Sequence, residues 1–166
     1  MAKTFFVAKR PHMGLTDSQY IDSINKKIES FDKTGFDKEL LDKQEIIKLN
    51  QHRSNRIYKT YVVDETLCQR IKSINEKQIW MILSEDWCGD SAQNIPYIAK
   101  IAGCNPLIEL RILFRDENLD IMDLYLTNGK SRSIPKLVAF DIDGNELFQW
   151  GPRPKEADEL VKRAKL

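Results

Sequence analysis

The stretch whose reading decides the fold is Ile79-Trp80-Met81-Ile82-Leu83-Ser84-Glu85-Asp86-Trp87-Cys88-Gly89-Asp90-Ser91. Its first five residues form an unbroken apolar run of strand length, and the segment from Gly89 to Ala102 reads as a helix. A cysteine therefore stands where a buried strand ends and a helix begins. The free N–H groups and partial positive charge of a helix N-terminus stabilise a thiolate over a thiol. A reactive thiol at Cys88 is physically reasonable on that ground.

Toward the C-terminus, strand and helix signals alternate. Leu107 to Phe114 reads as a strand and Asn118 to Leu126 as a helix ended by Asn128-Gly129. Lys136 to Phe140 and Glu146 to Trp150 are short apolar runs joined by the turn composition Asp141-Ile142-Asp143-Gly144-Asn145, a hairpin pattern. A helix from about Lys155 to Ala164 closes the chain. This order predicts an α/β fold with a central mixed sheet and helices on both faces.

Toward the N-terminus the pattern is helical. Tyr20, Ile21, Ile24, Ile28 and Phe31 recur three and four apart from Asp17 to Phe31, with Thr16 or Asp17 as cap and Gly35 just beyond. A second helix is expected from Lys38 to about Gln51. Tyr58, Tyr61, Val62 and Val63 suggest a short extended piece, and Asp64 can cap a helix carrying Leu67, Ile71 and Ile74. Residues 1–60 are thus expected to be an N-terminal helical extension on a domain spanning 61–166.

Lys plus Arg total 26 against 25 Asp plus Glu, so no broad field draws in nucleic acid or an anionic membrane. No apolar run approaches the roughly 18 residues of a membrane span. The apolar stretch Phe5 to Ala8 is short and its basic residues follow it, the wrong order for a secretory signal, so a cytoplasmic location is expected. Three scattered cysteines do not make a disulfide scaffold, and Cys68, beside an apolar stripe, reads as core packing. With His12 and His52 the only histidines, neither a metal nor a cofactor is expected.

The residues at the strand-to-helix junction resemble the thioredoxin family, whose members carry Trp-Cys-Gly-x-Cys there and a cis-proline facing it from a later strand. Pro96 lies eight residues after Cys88 within the helix, Ser133-Ile134-Pro135 precedes the strand from Lys136, and Trp150-Gly151 follows the hairpin. The resemblance covers about Asp64 to Leu166. Trp87 to Ser91, Leu113 to Leu119 and Trp150 to Pro154 are similar to one bacterial branch of thioredoxin-like proteins. It implies a thioredoxin-like fold, Pro135 in cis, and a substrate surface of Trp87, Gly89, Asp90, Ile134, Pro135 and Gly151.

Three departures bear on mechanism. Ser91 replaces the second motif cysteine, so Cys88 has no resolving thiol in the motif. Cys104 does not substitute, because sixteen residues of continuous helix at about 1.5 Å each separate it from Cys88, far beyond the ~7 Å a disulfide allows. Ile82 stands where the family has a buried acid. Asp90 is an anion beside Cys88 and should oppose thiolate formation.

Ser91 is either a donor to the thiolate or a cap of the helix start. Trp87 is read as a shield of the sulfur in preference to a core residue, and Arg153 as a solvated arginine in preference to an anion partner. Two functions compete: thiol–disulfide exchange in which Cys88 forms mixed disulfides with a protein or low-molecular-weight thiol, resolved by an external thiol, and a non-enzymatic peptide-binding module with a vestigial site. A hydrolase or transferase would need a general base that neither histidine supplies.

Overall fold

Every side chain of the central strand after its first residue is buried, as a strand covered on both faces requires. The computed structural model describes residues 2–31 and 37–164, and only the backbone at Lys162. Its elements are α1 (Thr4–Val7), a short 3-10 turn (Pro11–Met13), α2 (Asp17–Glu29), α3 (Lys38–Thr60), α4 (Glu65–Lys72), β1 (Gln78–Ser84), α5 (Gly89–Ala102), β2 (Ile108–Phe114), α6 (Leu119–Met122), β3 (Lys136–Asp141), β4 (Glu146–Trp150) and α7 (Lys155–Ala164).

The strand order is β2-β1-β3-β4. β1 pairs in parallel with β2, Trp80 opposite Leu110, and antiparallel with β3, Ile82 opposite Leu137. A parallel pair needs a crossover, which α5 supplies, whereas β3 and β4 are joined as a hairpin. The period-two alternation of β1 sends Ile79, Met81 and Leu83 to one face, where Phe5, Phe6, Ile121, Met122 and Tyr125 cover them. Trp80 and Ile82 face Tyr20, Ile95, Ile98 and Ala102 on the other. The expected mixed sheet with helices on both faces is present.

Thr16 caps α2 in a capping box with Gln19, and Asp64 caps α4 through Leu67 N–H. Gly35 lies outside the described residues. α3 continues to Thr60, beyond the expected end near Gln51, and the expected extended piece around Tyr58 is helical up to Tyr61. The reason is packing: Ile47, Asn50 and Ile57 are buried in one helical stripe, and Tyr58 donates its hydroxyl to Asp17. That outweighs the strand preference of Tyr58, while Val62 and Val63 lie beyond the helix. α6 is shorter than expected, since Tyr125 turns into the core and donates to Glu146 Oε1 at 2.7 Å.

The reading of Cys68 as core packing is also corrected. Cys68 is joined to Cys104 in a disulfide, with Cα atoms 5.5 Å apart. α4 lies along the C-terminal end of α5, where Asn105 Nδ2 donates to the carbonyls of Ile71 and Ile74, both at 2.8 Å. Tertiary packing brings the two cysteines together, which their spacing in sequence does not reveal.

Candidate functional site

Cys88 sits at the N-cap of α5 and is 9 % exposed. Its sulfur accepts the backbone N–H of Ser91 at 3.4 Å and donates to the carbonyl of Ile134 at 3.4 Å. Cys88 itself therefore caps the helix, a role an oxygen usually fills. It is the one free cysteine, since the other two are bonded to each other.

In this structure the Ser91 hydroxyl neither donates to the sulfur nor caps the helix start. Ser91 is 1 % exposed and its hydroxyl has no hydrogen-bond partner, so only its backbone N–H serves the sulfur. A buried hydroxyl without a partner costs about 1–3 kcal/mol.

The Ile134–Pro135 bond is cis, as is Gly151–Pro152. Gly151 has φ +123°, and a Cβ there would stand 2.1 Å from the Pro135 carbonyl oxygen. Only glycine fits. Trp87 packs against the cluster that holds Cys88 and Ile134, with the guanidinium of Arg115 5.0 Å from its ring centre. It is both a core contact and a neighbour of the sulfur.

Arg153 is not a free turn residue: it pairs with Asp90. The carboxylate expected to oppose a thiolate is thereby neutralised by a cation held between Pro152 and Pro154. Asp86, its side chain 2 % exposed, pairs with Lys27 from α2. Glu85 accepts the Asp116 backbone N–H at 2.8 Å, and burial raises its pKa above the usual carboxylate range. Tyr20 from α2 bonds Ser84 at 3.0 Å, and burial drives its phenol pKa upward.

The residues missed by sequence reasoning come from the N-terminal helices. Asn50 of α3 donates to the Asp86 carbonyl at 3.1 Å, and Arg53 donates to Asn50 Oδ1 at 3.2 Å. Ser54 donates to the Ala92 carbonyl at 2.9 Å. That oxygen would bond the N–H four residues on, but residue 96 is proline. A signal was present: Asn50 and Ser54 interrupt the stripe between Ile47 and Ile57 with polar groups. Among the described residues, no group of three or more His, Cys, Asp or Glu is arranged to hold a metal, and no helix is long and apolar enough to cross a membrane.

The family described as thioredoxin matches residues 36–165. Among solved structures, an HIV epitope-scaffold is similar at 17 % identity and TM-score 0.64, over 92 % of this chain and 80 % of that one. A Pseudomonas aeruginosa protein of unknown function aligns at 17 % identity and TM-score 0.58, over 90 % and 84 % of the two chains. These two show a shared fold. A mutant thioredoxin from Halobacterium salinarum aligns at 20 % identity and TM-score 0.37, over 63 % and 87 %. No curated protein matches the chain significantly.

Proposed function

Because the chain belongs to the thioredoxin family, we propose that it performs thiol–disulfide exchange through Cys88 alone. The Cys88 thiolate attacks one sulfur of a disulfide, the substrate S–S bond breaks, and the leaving thiolate takes a proton from solvent. A mixed disulfide at Cys88 remains. A second, external thiolate attacks it, releases Cys88 as thiolate and carries the bound sulfur away as a new disulfide.

The observation that carries this reading is the hydrogen bonding of the sulfur at the helix start, together with the absence of another free cysteine. The Ser91 N–H donates to Sγ at 3.4 Å. Deprotonation frees the Ile134 carbonyl, which then offers an acceptor to a substrate N–H. Trp87, Gly89, Asp90, Ile134, Pro135 and Gly151 form the substrate surface, and the unpartnered Ser91 hydroxyl serves the sulfur once it carries charge or an adduct. Cys68 and Cys104 hold each other and leave resolution to an outside thiol.

The test is peptide mapping after exposure to hydroxyethyl disulfide. The adduct is expected on Cys88, reversible by free thiol and absent from Cys88→Ser. A protein inert at Cys88 refutes exchange, and partner capture that survives Cys88→Ser would mark a binding module instead.

A further inference from the structure

Several charges around the motif cancel in pairs. Lys27 neutralises Asp86, Arg153 neutralises Asp90, and Arg115 pairs with Asp116. Glu85 turns toward the backbone of Asp116. Arg53 has no ion-pair partner among the described residues, and its only hydrogen bond there is from Nη1 to Asn50. Asn50 is 3 % exposed and is itself fixed to the Asp86 carbonyl, so the guanidinium is anchored through a buried amide to the turn that carries Cys88.

Its position is defined on the other side by Gly89. A Cβ at that residue would lie 3.5 Å from Arg53 Nη1, so the guanidinium rests against the residue next to the thiol. Arg53 is half-buried and reachable from solvent. Most of its five N–H donors are free, in the planar fork that matches a carboxylate.

We infer that Arg53 binds a carboxylate of the molecule that reacts at Cys88, which makes the preferred substrate class a small disulfide whose thiols carry carboxylate groups. This rests on the exchange reading above. The disulfide places one sulfur at Cys88 Sγ and a carboxylate on Arg53. Exchange then proceeds as before, with the anionic thiolate leaving and the other half retained on Cys88. The role belongs to α3, outside the strand–helix motif itself.

The experiment compares second-order rates of adduct formation at Cys88 with three probes: dithiodipropionate, which is anionic, neutral hydroxyethyl disulfide, and cationic cystamine. Each rate is normalised to the same probe's rate with a small free thiol. Wild-type protein is expected to favour the anionic over the neutral probe by roughly tenfold, within the range for a close charge pair at a partly solvated site, and to disfavour cystamine. Added salt should shrink the difference. Arg53→Met should bring the anionic-to-neutral ratio within about twofold of unity, while Arg53→Lys should keep most of the preference.

Equal normalised rates for anionic and neutral probes in the wild type, or a preference that survives Arg53→Met, overturn the inference and leave exchange standing. So does a slowing in a folded Arg53→Met protein that is equal for both probes and keeps the wild-type ratio, because Arg53 would then act on the sulfur and not on the substrate. No reaction at Cys88 with any probe overturns exchange and this inference with it. A loss of thermal stability in Arg53→Met is controlled by Arg53→Lys, which keeps the charge and the stem.

Discussion

Removing the Ser54 hydroxyl tests how the N-terminal helices hold the helix that starts at Cys88. Pro96 lies inside α5 and cannot donate to the carbonyl of Ala92, and Ser54 Oγ fills that place at 2.9 Å. One neutral hydrogen bond contributes about 1 kcal/mol, and leaving a buried carbonyl without a donor costs up to about 3 kcal/mol. Ser54→Ala is therefore expected to cost roughly 1–2 kcal/mol. For a chain of this size each kcal/mol is about 2–4 °C, so Tm should fall by about 2–8 °C. In a Pro96→Ala background the new N–H can reach the Ala92 carbonyl, and Ser54→Ala should then cost less than about 0.5 kcal/mol. Urea denaturation of the four proteins, with m unchanged across the set, measures the cycle. An equal cost in both backgrounds refutes the reasoning.

The disulfide gives a second expectation. Its sequence separation is 36, for which chain entropy gives about 4 kcal/mol. Reductant should lower wild-type stability by up to that amount in urea melts, and should not affect a protein with Cys68 and Cys104 both changed to Ala. At the motif, Arg153→Met should slow alkylation of Cys88 by roughly three- to tenfold at low salt, because Asp90 then stands unneutralised; Asp90→Asn in the same protein should restore the rate. Lys136 is buried without a hydrogen-bond or ion-pair partner among the described residues, and burial lowers its pKa. Between the lowered folded value and the unfolded value near 10.4 the unfolded chain holds more protons, so stability rises with pH through that window. Lys136→Met should be more stable than wild type at pH 7, and its advantage should shrink at pH 10. A constant advantage across that range would count against the assignment.

The domain core was legible because local signals and global packing agree in it. β1 reads as an apolar run since both its faces are covered, and β3–β4 reads as a hairpin because its turn is Asp, Asn and Gly. Cys88 was legible for a local reason too: it stands at a strand-to-helix junction. What the sequence hid is tertiary. The reach of Ser54 to the Ala92 carbonyl, the pairing of Arg153 with Asp90 and the meeting of Cys68 with Cys104 depend on how α3, α4 and the β4–α7 connection pack, and no spacing rule encodes those distances. The extent of α3 was misjudged because its buried face carries Asn50 and Ser54, which read as solvent-facing until their backbone partners are seen. At the β2 edge Leu15 exchanges two hydrogen bonds of 2.8 Å with Ile112, while α2 and α3 pack behind the motif.

The measurement that tests the central claim most directly is the release of a preformed mixed disulfide from Cys88, followed by intact mass as a function of external thiol concentration. If Cys88 works alone, release is first order in that thiol, passes through zero at zero concentration, and leaves the Cys68–Cys104 bond in place. Release without added thiol, or an adduct that migrates to Cys68 or Cys104, would contradict the account by revealing a resolving cysteine within the chain.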